Sequence, residues 1–277
     1  MENSKIGFIG AGNMASSLIQ GLLAQGVDAA NLSAADIDSD KLAQLASSSG
    51  INAASNTQIA ASADVILLAV KPQVMQQVCE ALADELAQRS DKPCLIISIA
   101  AGISIPHLQA WLGADLAIVR CMPNTPALVG KGATGLFANT HTDSDQRQLA
   151  EAILSAVGLS LWLNTEADID AVTALSGSGP AYFFLLMEAM QDTAIAMGLD
   201  AQVAKLLTYQ TGLGAAELAF HSDDSISELR RKVTSPGGTT EQAVNTFLEG
   251  GLPALVEKSL KAAQQRSQQL AAEFGEK

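Results

Sequence analysis

Positive charge is scarce in this chain of 277 residues: 16 lysines and arginines stand against 29 aspartates and glutamates, a formal net charge of −13 at pH 7. A surface that displaces counterions from phosphates needs clustered Lys and Arg, so nucleic acid is excluded as a partner. Charged residues amount to only 16% and aliphatic side chains dominate, which excludes intrinsic disorder. Reactive side chains are few, with three histidines and three cysteines. Cys79, Cys94 and Cys121 show no paired spacing and fit buried thiols in a reducing cytoplasm. No His/Cys cluster offers a metal site. The charge-free apolar stretch Cys94–Pro106 is much shorter than the roughly 20 residues of a bilayer crossing, so no membrane span is expected. Met1–Lys5 runs straight into a strand pattern and leaves no room for a signal peptide.

What is present divides into two textures. Residues 1–165 alternate short β-type runs with helical patterns: Lys5–Ile9, Met14–Gln25, Asn31–Ala35, Asp38–Ser48, Ile51–Ala54, Val65–Ala69 and Gln73–Gln88. The alternation continues through Leu95–Ser98, Pro106–Leu112, Ala117–Cys121, Ala133–Phe137, Asp143–Val157 and Leu159–Leu163. Strands separated by helices imply an α/β domain with a doubly wound, mostly parallel sheet. Residues 166–277 lack strand signals and read all-α, with long patterns at Pro180–Met197, Ala201–Phe220 and Leu252–Phe274. A stretch as apolar as Ala181–Met190 is buried on nearly every side, more than one small bundle can cover, and so implies a partner subunit.

Gly10-Ala11-Gly12-Asn13-Met14-Ala15 is a GxGxxA turn between the first strand and the first helix. Gly10 permits the tight turn, Gly12 lacks a Cβ that would block a pyrophosphate, and Ala15 lets helix and strand pack closely. That position implies a dinucleotide. Asp36 ends the second strand, somewhat past the usual spacing of about 20 residues for the ribose-reading carboxylate. Two readings stand for it: acceptor of the ribose hydroxyls, favouring NADH over NADPH, or a helix-capping residue.

The chemistry is marked by what an alcohol dehydrogenase would need. His107, His141 and His221 read as surface residues, Tyr182 and Tyr209 as packing residues, and no lysine lies between Lys131 and Lys205. Carbonyl reduction needs an acid or base there. A cyclic imine protonated in water before it binds does not, because its iminium carbon already accepts hydride. Orientation, exclusion of water and an anion grip then suffice. The best anion site is Val233–Thr240 (VTSPGGTT), where hydroxyls, two glycines and a helix start converge; the alternative is an elaborate N-cap. Ser176–Pro180 (SGSGP) either faces a nicotinamide or lets two helices approach closely. Met122–Pro126 follows a strand and is stiffened by two prolines, as a pocket wall would be.

Ile6–Met14 (IGFIGAGNM), Ala69–Pro72 (AVKP), Arg120–Pro126 (RCMPNTP), Leu175–Tyr182 (LSGSGPAY) and Val233–Thr240 together resemble the pyrroline-5-carboxylate reductase family, in that family's order over nearly the whole chain. The resemblance implies reduction of 1-pyrroline-5-carboxylate to L-proline with NADPH or NADH, in the cytoplasm. It implies an N-terminal Rossmann domain and a helical domain that interlocks with its twin as a homodimer, often within a decamer. A substrate loop can then complete a pocket whose nucleotide comes from the other subunit. By matching position, Gly10, Gly12, Asn13 and Met14 hold the pyrophosphate. Asp36, Asn56, Ala69, Lys71 and Pro72 line the adenosine side and the approach to the nicotinamide. Ser235, Gly238, Thr239 and Thr240 hold the substrate carboxylate and ring, with Met122 and Asn124 beside them, and the Thr240 hydroxyl reaches the ring nitrogen as the catalytic candidate. Asp36 stands where members preferring NADPH carry small polar residues, so both cofactors remain open. Asp223 receives no role. A β-hydroxyacid dehydrogenase would carry a lysine where Phe183–Leu186 stand, and a non-catalytic dinucleotide-binding regulator would not need the second anion site.

Overall fold

The computed structural model describes residues 4–89, 94–113 and 115–275, so the expectation for Met1–Asn3 lies outside the described residues. Contacts divide the chain into two compact units, Met1–Ser178 with Ala263–Lys277, and Gly179–Ala262.

The described residues of the first unit form eight strands: β1 (Ile6–Ile9), β2 (Leu32–Ala35), β3 (Asn52–Ala53), β4 (Val65–Leu68), β5 (Leu95–Ser98), β6 (Ala117–Met122), β7 (Gly132–Ala138) and β8 (Gly158–Trp162). Its helices are α1 (Asn13–Ala24), α2 (Ser39–Ser49), α3 (Asn56–Ser62), α4 (Pro72–Ala87), α5 (Ile105–Leu112), α6 (Ser144–Ser155) and α7 (Asp168–Val172). The sheet runs β3-β2-β1-β4-β5-β6-β7-β8. All neighbours are parallel except β6 and β7. That exception has a simple cause. Only a short 3-10 turn over Thr125–Val129 joins β6 to β7, whereas a parallel return needs a crossover of a dozen or more residues.

Helices cover both faces, which is why the central strands β1 and β4 are apolar and buried at every position. In β4, Val65 and Leu67 join Phe8, Leu18, Leu22 and Ile97 in one core, while Ile66 and Leu68 join Ile9, Met75, Leu82 and Ile96 in the other. The order of the strands reverses at β1, whose neighbours are β2 and β4, and ligands of open α/β sheets bind outside the carboxyl ends at such a point.

A buried ion pair stiffens the far half. Arg120, on β6 and 4% exposed, donates from Nη1 to Glu166 Oε1 at 2.9 Å, and the same oxygen accepts the Ile105 N–H at 2.7 Å. The end of α12 (Leu252–Gly275) also belongs to this unit: Ser267 donates to Asp170 Oδ1 at 2.6 Å, and a Cβ on Gly102 would meet Leu270 at 3.1 Å.

The second unit is helical: α8 (Gly179–Ala196), α9 (Ala201–Phe220), α10 (Ile226–Lys232), α11 (Thr239–Glu249) and the start of α12. Phe183, Phe184 and Leu185 on α8 are 66%, 63% and 66% exposed in the single chain. The helical run Asp168–Ala196, longer than Cys94–Pro106, is apolar and long enough to cross a membrane by length and composition alone. Leu206, Leu207, Leu213 and Leu218 on α9 are exposed as well. So much apolar surface on neighbouring helices marks an interaction face.

Candidate active site

The glycine turn lies at the carboxyl end of β1. Gly10 has φ +102°, and a Cβ there would sit 2.6 Å from the Ala69 carbonyl oxygen, so this position requires glycine. Gly10 donates to the Ala35 oxygen and Ala69 to the Ile9 oxygen, both at 2.8 Å, which fixes the turn against β2 and β4. Gly12 differs: nothing lies within 4 Å of where its Cβ would be. It is also the N-cap of α1 and supplies no side-chain cap. The first N–H groups of α1 therefore open onto a space that a pyrophosphate fits, with the positive end of the helix behind it. Ala15 is fully buried, Asn13 is exposed and Met14 packs against the core.

Asp36 follows β2 and is tied to this turn. Its Oδ2 accepts the Ala11 N–H at 2.7 Å, its Oδ1 accepts the Asp38 N–H at 3.0 Å, and Lys41 Nζ stands 3.6 Å away. Burial works to raise its pKa, but the two backbone N–H donors and the Lys41 ammonium outweigh burial and hold the carboxyl below its ordinary value. The helix-capping reading of Asp36 is corrected here: the cap of α2 is Asp38, whose side chain accepts the Lys41 N–H at 3.0 Å.

The other residues expected to meet the coenzyme follow the carboxyl ends of neighbouring strands or open the helices after them. Asn56 opens α3 behind a capping box in which Ser55 and Gln58 satisfy each other's N–H. Ala69 follows β4, exposed Lys71 is the N-cap of α4, and Pro72 occupies its first turn. Sequence periodicity missed α3, because its seven residues bury only Ile59 and Ala60. The S-x-x-Q of the capping box was the available signal.

At the carboxyl end of β6, Asn124 is 8% exposed and both ends of its amide are engaged. Oδ1 accepts the Ala133 N–H and Nδ2 donates to the Ser176 carbonyl, each at 2.9 Å. Residues Thr173–Gly177 form a π-turn, closed by the Ser178 N–H donating to the Thr173 oxygen at 2.8 Å. The end of the Met122 side chain lies against the π-turn at Gly177, where a Cβ would sit 2.7 Å from its Cε. Neither the π-turn nor this clamp was legible from periodicity.

In the second unit, Gly238 is the N-cap of α11 and gives no side-chain cap. The Gly238 N–H donates to the Ser235 oxygen at 3.0 Å, the Gly237 N–H to Glu241 Oε2 at 2.8 Å, and the Thr234 hydroxyl to the Arg230 oxygen at 2.6 Å. Ser235, Thr239 and Thr240 are exposed, and among the described residues their hydroxyls have no hydrogen-bond partner. The segment thus gathers free O–H groups and the first N–H groups of an eleven-residue helix.

Each histidine has a partner of its own. His107 Nδ1 accepts the Ser104 N–H at 3.4 Å and its ring stacks on Trp111, His141 lies 3.8 Å from Asp115, and His221 lies 3.2 Å from Glu217. All three thiols are free and buried, and desolvation pushes Cys79 up to about 12.

Comparison with known proteins gives two family matches: pyrroline-5-carboxylate reductase dimerisation over residues 166–270, and NADP oxidoreductase coenzyme F420-dependent over residues 5–102. The chain is 53% identical, over the full length of both, to a pyrroline-5-carboxylate reductase of Pseudomonas aeruginosa. It resembles the solved pyrroline-5-carboxylate reductase of Coxiella burnetii with a TM-score of 0.92 and 48% identity, covering 97% of this chain and 98% of that one. The NADP-bound Plasmodium falciparum pyrroline carboxylate reductase matches with a TM-score of 0.86 and 30% identity, covering 98% and 99%.

Proposed function

This chain belongs to the pyrroline-5-carboxylate reductase family, and we propose from that premise how its residues divide the labour of reducing 1-pyrroline-5-carboxylate to L-proline. NAD(P)H supplies the hydride that the C=N carbon accepts. The electron pair of the C=N bond moves to the ring nitrogen, which already carries its proton from water, so no side chain has to act as a strong acid. The observation that carries this reading is the pairing of two different donor sets in one chain: the open glycine turn at Gly12, and the unpartnered hydroxyls at the start of α11.

Gly10, Gly12, Asn13 and Met14 hold the pyrophosphate through the turn and the N-terminus of α1. Asp36 and Asn56 take the adenosine side, and Ala69, Lys71 and Pro72 line the approach to the nicotinamide. Ser235, Gly238, Thr239 and Thr240 grip the substrate carboxylate and ring with backbone N–H groups and hydroxyls, and Met122 bounds the pocket. The Thr240 hydroxyl accepts a hydrogen bond from the protonated ring nitrogen and fixes which carbon faces the hydride. With a net charge of −13, long-range attraction gathers no anionic substrate, so short-range donors must hold it. Glu241, already engaged by the Gly237 N–H, orders that segment.

The exposed apolar side chains of α8, Phe183–Leu186 among them, enter the homodimer interface on more than one side of the helix, and assembly beyond the dimer, to a decamer, follows the family. Covering by a second copy is the reading of the apolar run Asp168–Ala196 that agrees with the dimerisation match over residues 166–270. Three buried free thiols suit a cytoplasmic enzyme. The test is direct. Purified protein should oxidise NADPH or NADH only when pyrroline-5-carboxylate is present, and silence with both coenzymes between about pH 6 and 8 would overturn the proposal.

A further inference from the structure

The π-turn before α8 leaves a carbonyl that the helix cannot satisfy. In an uninterrupted α-helix, the Ser176 oxygen would accept the N–H of residue 180. Residue 180 is proline and has none. A half-buried carbonyl left without a donor costs up to as much as a lost hydrogen bond. Here the donor comes from 52 positions earlier in the chain, as Asn124 Nδ2 at 2.9 Å. The other end of the same amide accepts the Ala133 N–H, so the side chain cannot rotate without breaking a second bond. Just beside it, Met122 lies against the π-turn at Gly177.

We propose that Asn124 is a positioning residue for the reductase reaction: its amide replaces the N–H that Pro180 lacks, and so locks the π-turn Thr173–Gly177 to the loop at the carboxyl end of β6. The inference rests on the function proposed above, and it moves Asn124 from contact with the substrate to control of the wall that Met122 presents. Place and chemistry support it. The carboxyl ends of β4, β5 and β6 form the half of the sheet opposite β2 and β3, where the second mononucleotide of a dinucleotide lies. π-turns within helices occur frequently at functional sites. A wall displaced by about 1 Å costs on the order of a hundredfold in rate, because the reacting atoms no longer align. Coenzyme affinity, set mainly by the pyrophosphate turn at β1, stays nearly unchanged.

Asn124→Asp tests this. It keeps an acceptor for Ala133 but replaces the donor to Ser176 with a second oxygen, which the carbonyl repels. The full-length enzyme carrying it should show kcat lowered at least tenfold, with the NADPH Kd within threefold of wild type. Amide exchange at Ser178, the N–H that closes the π-turn, should be at least tenfold faster. A merely structural role would lower the melting temperature and leave kcat within twofold, and that result overturns the proposal. So does unchanged exchange at Ser178. Should Asn124→Asp fail to fold, Asn124→Ala decides instead: it removes the donor to Ser176 without adding a charge and should give the same loss of kcat without loss of coenzyme binding, whereas kcat within twofold overturns the proposal. Wild-type protein inactive on pyrroline-5-carboxylate would refute the function proposed above, while the exchange measurement would still judge the clamp.

Discussion

Asp36→Ser separates what this carboxylate does for the protein from what it does for the coenzyme. In the free protein it accepts the Ala11 N–H at 2.7 Å, so the substitution loosens the glycine turn. That loss falls on NADH and NADPH alike and cancels in the ratio of their kcat/KM values. Two contributions do not cancel. A charge-assisted hydrogen bond to the ribose 2′-hydroxyl is worth about 1.5–3 kcal/mol and is made only by NADH. A 2′-phosphate placed about 4 Å from a carboxylate is repelled by roughly 1–4 kcal/mol per unit charge, between the limits of bulk water and a protein surface. Both favour NADPH once the carboxylate is gone. At about 1.4 kcal/mol per tenfold, the ratio of NADPH to NADH efficiency should rise at least thirtyfold. Steady-state kinetics with both coenzymes at constant ionic strength reads this. Because the Asp36 pKa is lowered, the wild-type ratio should be constant from pH 6.5 to 8 as far as this group decides it. A ratio within twofold of wild type would show that Asp36 serves only the turn.

The two turn glycines should behave differently under substitution. Gly12→Val meets open space, so the melting temperature should hold within a few degrees while coenzyme binding, followed by fluorescence titration, falls at least a hundredfold. Gly10→Ala meets the Ala69 carbonyl at a positive φ and should cost the fold itself more than about 1 kcal/mol in denaturant unfolding. Thr240→Ala should lower kcat about tenfold, the worth of one hydrogen bond of about 1–1.5 kcal/mol, with the NADPH Kd within twofold; equal loss of both in the same titration would indicate misfolding. Phe184→Glu should shift sedimentation from the assembled species toward the monomer, and an unchanged sedimentation coefficient would remove this face from the interface. Acid stability follows from sign: the Asp36 carboxyl is depressed in the folded state, so its contribution is present above about pH 4 and lost as pH falls through the folded value. Asp36→Ser should therefore flatten the acid limb of a stability–pH profile.

The parts of the fold that could be read in sequence are those where burial writes a pattern. Val65–Leu68 is apolar at every position because helices cover both faces, and Gly10-x-Gly12 announces its turn because each glycine has a separate steric reason. The antiparallel β7 could have been inferred from the brevity of Thr125–Val129, which leaves no room for a crossover. Helix α3 buries too little to show a period, and only its capping box betrays it. Asp36 was ambiguous because an aspartate two residues before another serves equally as ribose reader or cap; the distant Ala11 N–H engages Asp36, and the local Lys41 N–H takes Asp38 as the cap. The pair Arg120–Glu166 and the clamp of Asn124 on Ser176 join residues 46 and 52 positions apart, and no local pattern carries such information.

Transfer of isotope tests the reaction most directly. The wild-type enzyme, given pyrroline-5-carboxylate and NADPH deuterated at C4 on either face in separate runs, should yield proline one mass unit heavier from one of the two, with the deuterium on the ring carbon that is next to nitrogen and does not bear the carboxylate. Proline without label from both coenzymes, or label on any other carbon, would contradict hydride delivery to the C=N carbon.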